Sequence, residues 1–245
     1  MTLTLHNPHS VQQAIAKRPH DVLELRLPPG KPSPAWGDAA DMARSMQIPV
    51  RTELAEPPKP RSRDDKSARL SAASADVKER RETSLETFFT GPGGVTSGIW
   101  LALDCLQDPH NVGAIFRTAA FFGVRGILVT KDRSAPLSGT VYDVASGGME
   151  HVPFAQPTNL SQAIKAAKEA GLWVLGSSEH AERPVSVIDR GRPWLLVVGN
   201  EEHGLRRLTL DLCDETCAIP GQGAVGSLNV SVATGVLLSQ LTAGE

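Results

Sequence analysis

Apolar residues recur in this chain with two periods, and the switch between them divides it into strands and helices. Val22-Leu23-Glu24-Leu25-Arg26-Leu27 alternates apolar with polar, as a strand buried on one face does. From residue 99 onward the apolar runs become nearly continuous: Trp100 to Leu106, Gly126 to Thr130, Val152 to Phe154, Trp173 to Ser177, Leu195 to Gly199 and Thr216 to Ile219. Runs this rich in apolar residues suit strands covered on both faces. Between them the pattern predicts helices over Val112 to Phe122, Leu160 to Ala170, Leu205 to Cys213 and Leu228 to Leu241. Gly123 and Gly171 fall just past two of these, where a left-handed cap is wanted. Strands alternating with helices argue an α/β domain built on a mostly parallel sheet, with its ligand crevice beyond the carboxyl ends of the strands.

Composition divides the chain in three. Residues 1–54 read as a small α/β module, with helices opening at Val11 and Asp38 and a short strand at Ile48 to Val50. Residues 55–98 are rich in proline and charge, poor in large apolar side chains, and read as a linker: either a solvated tether or a basic arm for phosphates. Residues 99–245 form the main domain. The formal net charge of −2 supplies no global attraction for nucleic acid, although a local basic face needs none. The three cysteines make no even disulfide framework and lack metal spacing, which points to a reducing compartment and no metal. No apolar run reaches membrane-spanning length, so a cytoplasmic, membrane-free protein is expected.

Three strand-end loops carry chemistry. The first, Asp108-Pro109-His110-Asn111-Val112-Gly113, leads into a helix bearing Arg117. Asp108 and Asn111 are both suited to cap it. Arg117 sits in an otherwise apolar helix, where an unpaired guanidinium would be costly to bury, so it must reach a carboxylate, a phosphate or water. The second loop is Gly199-Asn200-Glu201-Glu202-His203-Gly204, where Glu201 is placed either to stabilise the next helix start or to pair with Arg117. His203 reads as a local hydrogen-bonder. The third is Ile219-Pro220, then Gly221 to Gly226, then Ser227-Leu228-Asn229-Val230-Ser231. Its glycines fit G-x-G-x-x-G, but that dinucleotide fingerprint belongs in the first turn of a strand-helix-strand unit, and here only a helix follows. Ser227 stands where a cap for that helix is expected. Asn229 is a poor residue inside a helix start unless its amide has a partner.

Together these segments resemble the motifs of the SpoU family of RNA ribose 2′-O-methyltransferases, in the SPOUT superfamily. The first family motif appears as Asp108-Pro109-x-Asn111-x-Gly113-x-x-x-Arg117. The second appears as Val198-Gly199-x-Glu201-x-x-Gly204-Leu205, and the third as Ile219-Pro220 followed by Ser227-Leu228-Asn229-Val230-Ser231. The resemblance implies a trefoil knot near the C-terminus, S-adenosylmethionine as methyl donor, and a homodimer whose site draws on both subunits. It assigns Asn111, Arg117, Glu201, Ser227 and Asn229 to the catalytic face. Gly199, Ile219, Leu228, Ser177 and Pro220 fall to the donor pocket. The preceding module implies an RNA-binding role, with ribosomal RNA favoured over tRNA and a 23S-type guanosine as target. The alternatives are a tRNA ribose 2′-O-methyltransferase and a non-catalytic RNA-binding protein that retains the fold.

Overall fold

The computed structural model describes residues 1–52, 73–89, 97–200 and 203–242. The N-terminal elements are β1 (Thr2–Leu5), α1 (Pro8–Lys17), β2 (Val22–Leu27), α2 (Pro34–Ser45), β3 (Val50–Thr52) and β4 (Ser74–Lys78). They form a four-stranded sheet in the order β1-β4-β2-β3. Strand β4 runs antiparallel to both neighbours, and β2 and β3 pair parallel.

Here the expected boundaries need correction. Strand β4 lies inside the 55–98 stretch read as a linker, yet it is an inner strand of the small sheet. Its Ala75, Asp76 and Lys78 are poor strand formers, so local propensity is weak. Ala75 and Val77 are nevertheless fully buried, because strands on both sides complete the backbone pairing. A further helical turn, α3 (Leu85–Phe88), follows it.

The second sheet is built from β5 (Ile99–Leu103), β6 (Gly126–Val129), β7 (Phe154–Ala155), β8 (Trp173–Ser177), β9 (Trp194–Val198) and β10 (Glu215–Cys217). Its order is β10-β8-β9-β5-β6-β7 and every pairing is parallel. The helices are α4 (Pro109–Phe121), α5 (Gly139–Ala145), α6 (Gly148–His151), α7 (Leu160–Glu169), α8 (Arg207–Leu210) and α9 (Val230–Thr242). Strand β5 shows why its run is unbroken. Ile99, Leu101 and Leu103 join one hydrophobic cluster, while Trp100 and Ala102 join a second on the opposite face. Helices α5 and α6 were not foreseen, and they displace the strand expected at 152–154 to 154–155. The helix expected over 205–213 is the short α8.

The small module is docked on α5 and α6. The Asp143 carboxylate accepts the backbone N–H groups of His6 and Asn7 at 2.9 Å each. Burial pushes its pKa up, partly offset by those donors. The Ser10 hydroxyl donates to Tyr142 O at 2.6 Å. Arg18 forks onto Glu150, with Nε and Nη2 each 2.8 Å from a carboxylate oxygen. Arg80 donates to the carbonyls of Met149 and Val152. One continuous cluster of apolar side chains runs from Leu5, Val11 and Ile15 into Tyr142 and Met149, so module and main domain share a core.

Candidate active site

Sheet register brings the first two strand-end loops together. Leu103 of β5 lies opposite Val198 of β9, and the next residue, Asp104, donates its N–H to Val198 O at 2.9 Å. Cys105 then takes a left-handed backbone (φ 61°) and turns the chain away. Its carbonyl accepts Asn200 Nδ2 at 3.1 Å. The loop from Gly199 closes on itself, with Asn200 N bonded to Gly204 O at 3.0 Å and Gly204 N to Asn200 O at 2.9 Å. A Cβ on Gly199 would stand 2.2 Å from the Gly204 carbonyl carbon, so this closure excludes any side chain there.

Asp104 is a residue that the motif reading passed over. It is wholly buried, accepts the Thr209 hydroxyl at 2.8 Å, and pairs with Arg206 Nη2 at 2.6 Å. It thereby ties the end of β5 to the segment leaving the second loop. A carboxylate directly after an all-apolar strand was the available signal. Burial, then the adjacent Asp104 charge, holds the Cys105 thiol above its ordinary pKa.

At the other side of the sheet, Cys217 of β10 lies opposite Ser177 of β8, and Ser178 N donates to Cys217 O at 3.0 Å. Ile219 packs against the core, and Pro220 to Asn229 then form an exposed segment. A Cβ on Gly221, Gly223 or Gly226 would meet nothing within 4 Å. Leu228 is 51% exposed beside it.

The third loop returns to the first through two amides. Asn111 is buried near the start of α4, and its Oδ1 accepts Asn229 Nδ2 at 2.9 Å. Asn229 Oδ1 in turn accepts Ser231 N at 2.9 Å and Ser231 Oγ at 2.6 Å. Asn229 is therefore the cap of α9. The expectation that Ser227 caps it is corrected: the helix begins at Val230, and Ser227 is exposed two residues before the cap. On α4 the cap is Asp108, which accepts His110 N at 2.8 Å, so Asn111 is free of that duty. Gly113 lets α4 approach α5, since a Cβ would fall 2.7 Å from Val141 O.

Arg117 does not join this pair. Six residues along an α-helix is about 600° of rotation, which leaves it about 120° around α4 from Asn111. The expected cost of burying it does not arise, because its side chain is exposed. It lines a groove with α1 and α6 instead. Glu201 lies outside the described residues. Among the described residues no group of three His, Cys, Asp or Glu side chains could hold a metal. No helix there is long and apolar enough to cross a membrane.

An all-parallel sheet with converging polar loops at the carboxyl ends of its strands defines an α/β enzyme of the cofactor-binding kind. A profile of the SpoU rRNA Methylase family matches residues 98–239. The chain belongs to that family, whose members are RNA methyltransferases. It is 36% identical over 241 residues to the 23S rRNA (guanosine-2′-O-)-methyltransferase RlmB of Pseudomonas aeruginosa, spanning 97% of this chain and 94% of that one. The protein of the same name from Nitrosomonas europaea is 34% identical over 94% of this chain and 87% of its own. Among solved structures, the SpoU methyltransferase AviRb from Streptomyces viridochromogenes, in complex with the cofactor AdoMet, superposes with a TM-score of 0.77. That match is 22% identical and covers 98% of this chain and 89% of AviRb.

Proposed function

We propose that this protein transfers the methyl group of S-adenosylmethionine to the 2′-hydroxyl of a guanosine in 23S ribosomal RNA, in the cytoplasm. The observation that supports this reading is the Asn111–Asn229 bond of 2.9 Å, which ties the loop of the first family motif to that of the third. The RlmB relatives, matched over nearly the whole chain, favour ribosomal RNA over tRNA.

The site suits the donor. Adenosine is neutral and needs backbone donors, backbone acceptors and apolar cover. The strand ends around Ser177, Gly199 and Ile219–Pro220 offer backbone groups, and Leu228 offers exposed apolar surface. The glycine segment leaves open space beside them. When bound, the donor supplies the methyl group and its own leaving group.

The chain's residues then orient the ribose and assist loss of its proton. Asn111 and Asn229 hold each other's amides in fixed directions, which presents a rigid polar edge to the hydroxyl. Arg117 presents a planar fork of donors, which grips phosphate and stabilises a developing alkoxide. Glu201 orients that guanidinium, and Ser227 contributes a hydroxyl to the RNA side of the loop. We assign the assembly as a homodimer, because Arg117 faces away from the Asn111–Asn229 pair of its own chain. A second copy supplies its Arg117 to complete the site. Exposed Val225 in the glycine segment and Val232 on α9 support such a contact. The return of the chain from β10 to α9 is read as the trefoil knot of the family.

The test is to incubate the purified protein with methyl-labelled donor and unmodified 23S rRNA, with tRNA in parallel. Label should enter one guanosine ribose of the 23S species. Label in tRNA alone would refute the ribosomal assignment, and label in neither, with donor bound, would refute RNA methylation. Arg117→Lys should lower turnover at least tenfold, since an ammonium lacks the fork. Near-normal turnover would remove the phosphate grip from the account.

A further inference from the structure

The groove that Arg117 faces lies between the small module and the main domain. It is an open groove of about 330 Å³, lined by Gln13 of α1, Arg117, Ala120 and Phe121 of α4, and the Ser146–Gly148 turn with His151. Arg117 and Phe121 are one helical turn apart and share a face of α4. Phe121 is 83% exposed, the most exposed aromatic side chain among the described residues. No hydrogen bond or ion pair holds Arg117 among the described residues. Opposite them, His151 Nε2 and Gln13 Oε1 are 2.8 Å apart, which places a hydrogen-bonded amide on the groove wall.

These walls are held in place. Gly147 takes φ +95°, and a Cβ there would stand 2.5 Å from Gln13 Cγ, so α1 sits as close to the turn as glycine permits. The Arg18–Glu150 fork and the Arg80 bonds lock the same turn from behind. An exposed flat ring, a free guanidinium and an amide held at fixed distance are the parts that receive an unstacked nucleotide. The ring stacks on a base, the guanidinium takes a phosphate, and the amide reads a base edge. A duplex has no unstacked base to offer such a groove.

We propose that this junction groove is a subsite for one unpaired nucleotide of the RNA, next to the nucleotide that is methylated. Phe121 stacks on its base, Arg117 holds its phosphate and Gln13 meets its edge. The small module therefore forms one wall of the substrate site directly. This inference rests on RNA being the substrate.

The test uses the full-length protein and a single-stranded RNA 12-mer, with a 12-base-pair RNA duplex as comparator. Affinity is measured at one fixed salt concentration. Phe121→Ala should weaken binding of the single strand about tenfold or more, within the range seen for base stacking on an aromatic ring, and Phe121→Trp should restore it. Duplex binding, donor binding and sedimentation should not change. Unaltered affinity of Phe121→Ala, or failure of Phe121→Trp to restore it, would overturn the proposal. A change from dimer to monomer in Phe121→Ala would also overturn it, because the ring would then be a contact between copies. Methyl transfer by the unsubstituted protein to 23S rRNA is measured alongside. Its absence would strike the proposed function, whereas its presence with wild-type binding by Phe121→Ala strikes only the groove.

Discussion

Asn229 performs two tasks with one amide, and two substitutions separate them. Its Oδ1 caps α9 through Ser231, and its Nδ2 donates to Asn111. Asn229→Ala removes both. Loss of the cap costs about 1 kcal/mol, and loss of the hydrogen bond to a buried partner costs about 1 kcal/mol more. A serine retains an oxygen at the cap but is too short to reach Asn111, so Asn229→Ser should lose only the second contribution. In a chain of this length each kcal/mol moves the melting temperature by about 2–4 °C. Alanine should therefore melt about 4–8 °C below the native protein, and serine about half as far below. Calorimetry on both variants, paired with methyl-transfer rates, is the assay. Both variants should lose transfer to the same degree, at least tenfold, because both remove the bond from Asn229 Nδ2 to Asn111 Oδ1. Equal melting temperatures for the two would remove capping from the role of Asn229. Normal transfer by Asn229→Ser would remove the amide pair from the mechanism.

Three other expectations follow from the same geometry. Gly199→Ala forces a methyl group against the Gly204 backbone and should abolish donor binding in calorimetry while the far-ultraviolet dichroism stays native; retained donor affinity would refute the tight closure of that loop. Glu150→Ala strands Arg18 in a site where both side chains are largely buried, and should cost about 3 kcal/mol in denaturant unfolding, with a loss below 1 kcal/mol counting against the clamp. Burial pushes the Cys217 thiol up to about 12 and Cys213 to about 11. Both should resist alkylation at pH 8, as read by mass spectrometry. Because the folded values are raised, this contribution to stability is intact below pH 9.0 and declines as pH climbs from there toward 12. Stability rising across that interval would refute the burial argument.

The main domain was legible because its signals are local. Unbroken apolar strands, helices with end caps and glycines at forced positions each report on a few neighbouring residues. Gly113 and Gly199 stand in the motifs for steric reasons that the structure makes explicit. Strand β4 was not legible, because Ser74-Ala75-Asp76-Val77-Lys78 becomes a strand only through partners more than 45 residues away. Helices α5 and α6 were missed for a related reason: each is short, and its stability comes from packing on α4.

By itself the amino-acid sequence determined the α/β class, the parallel sheet and the loops from which the proposed site is drawn. Only the tertiary structure decided how those residues are shared out. It gave the cap of α9 to Asn229 and turned Arg117 away from Asn111. It also set the small module against α5 and α6 to wall a groove. Which side chains meet depends on strand register and helix rotation, and both are fixed by packing between segments far apart in the chain.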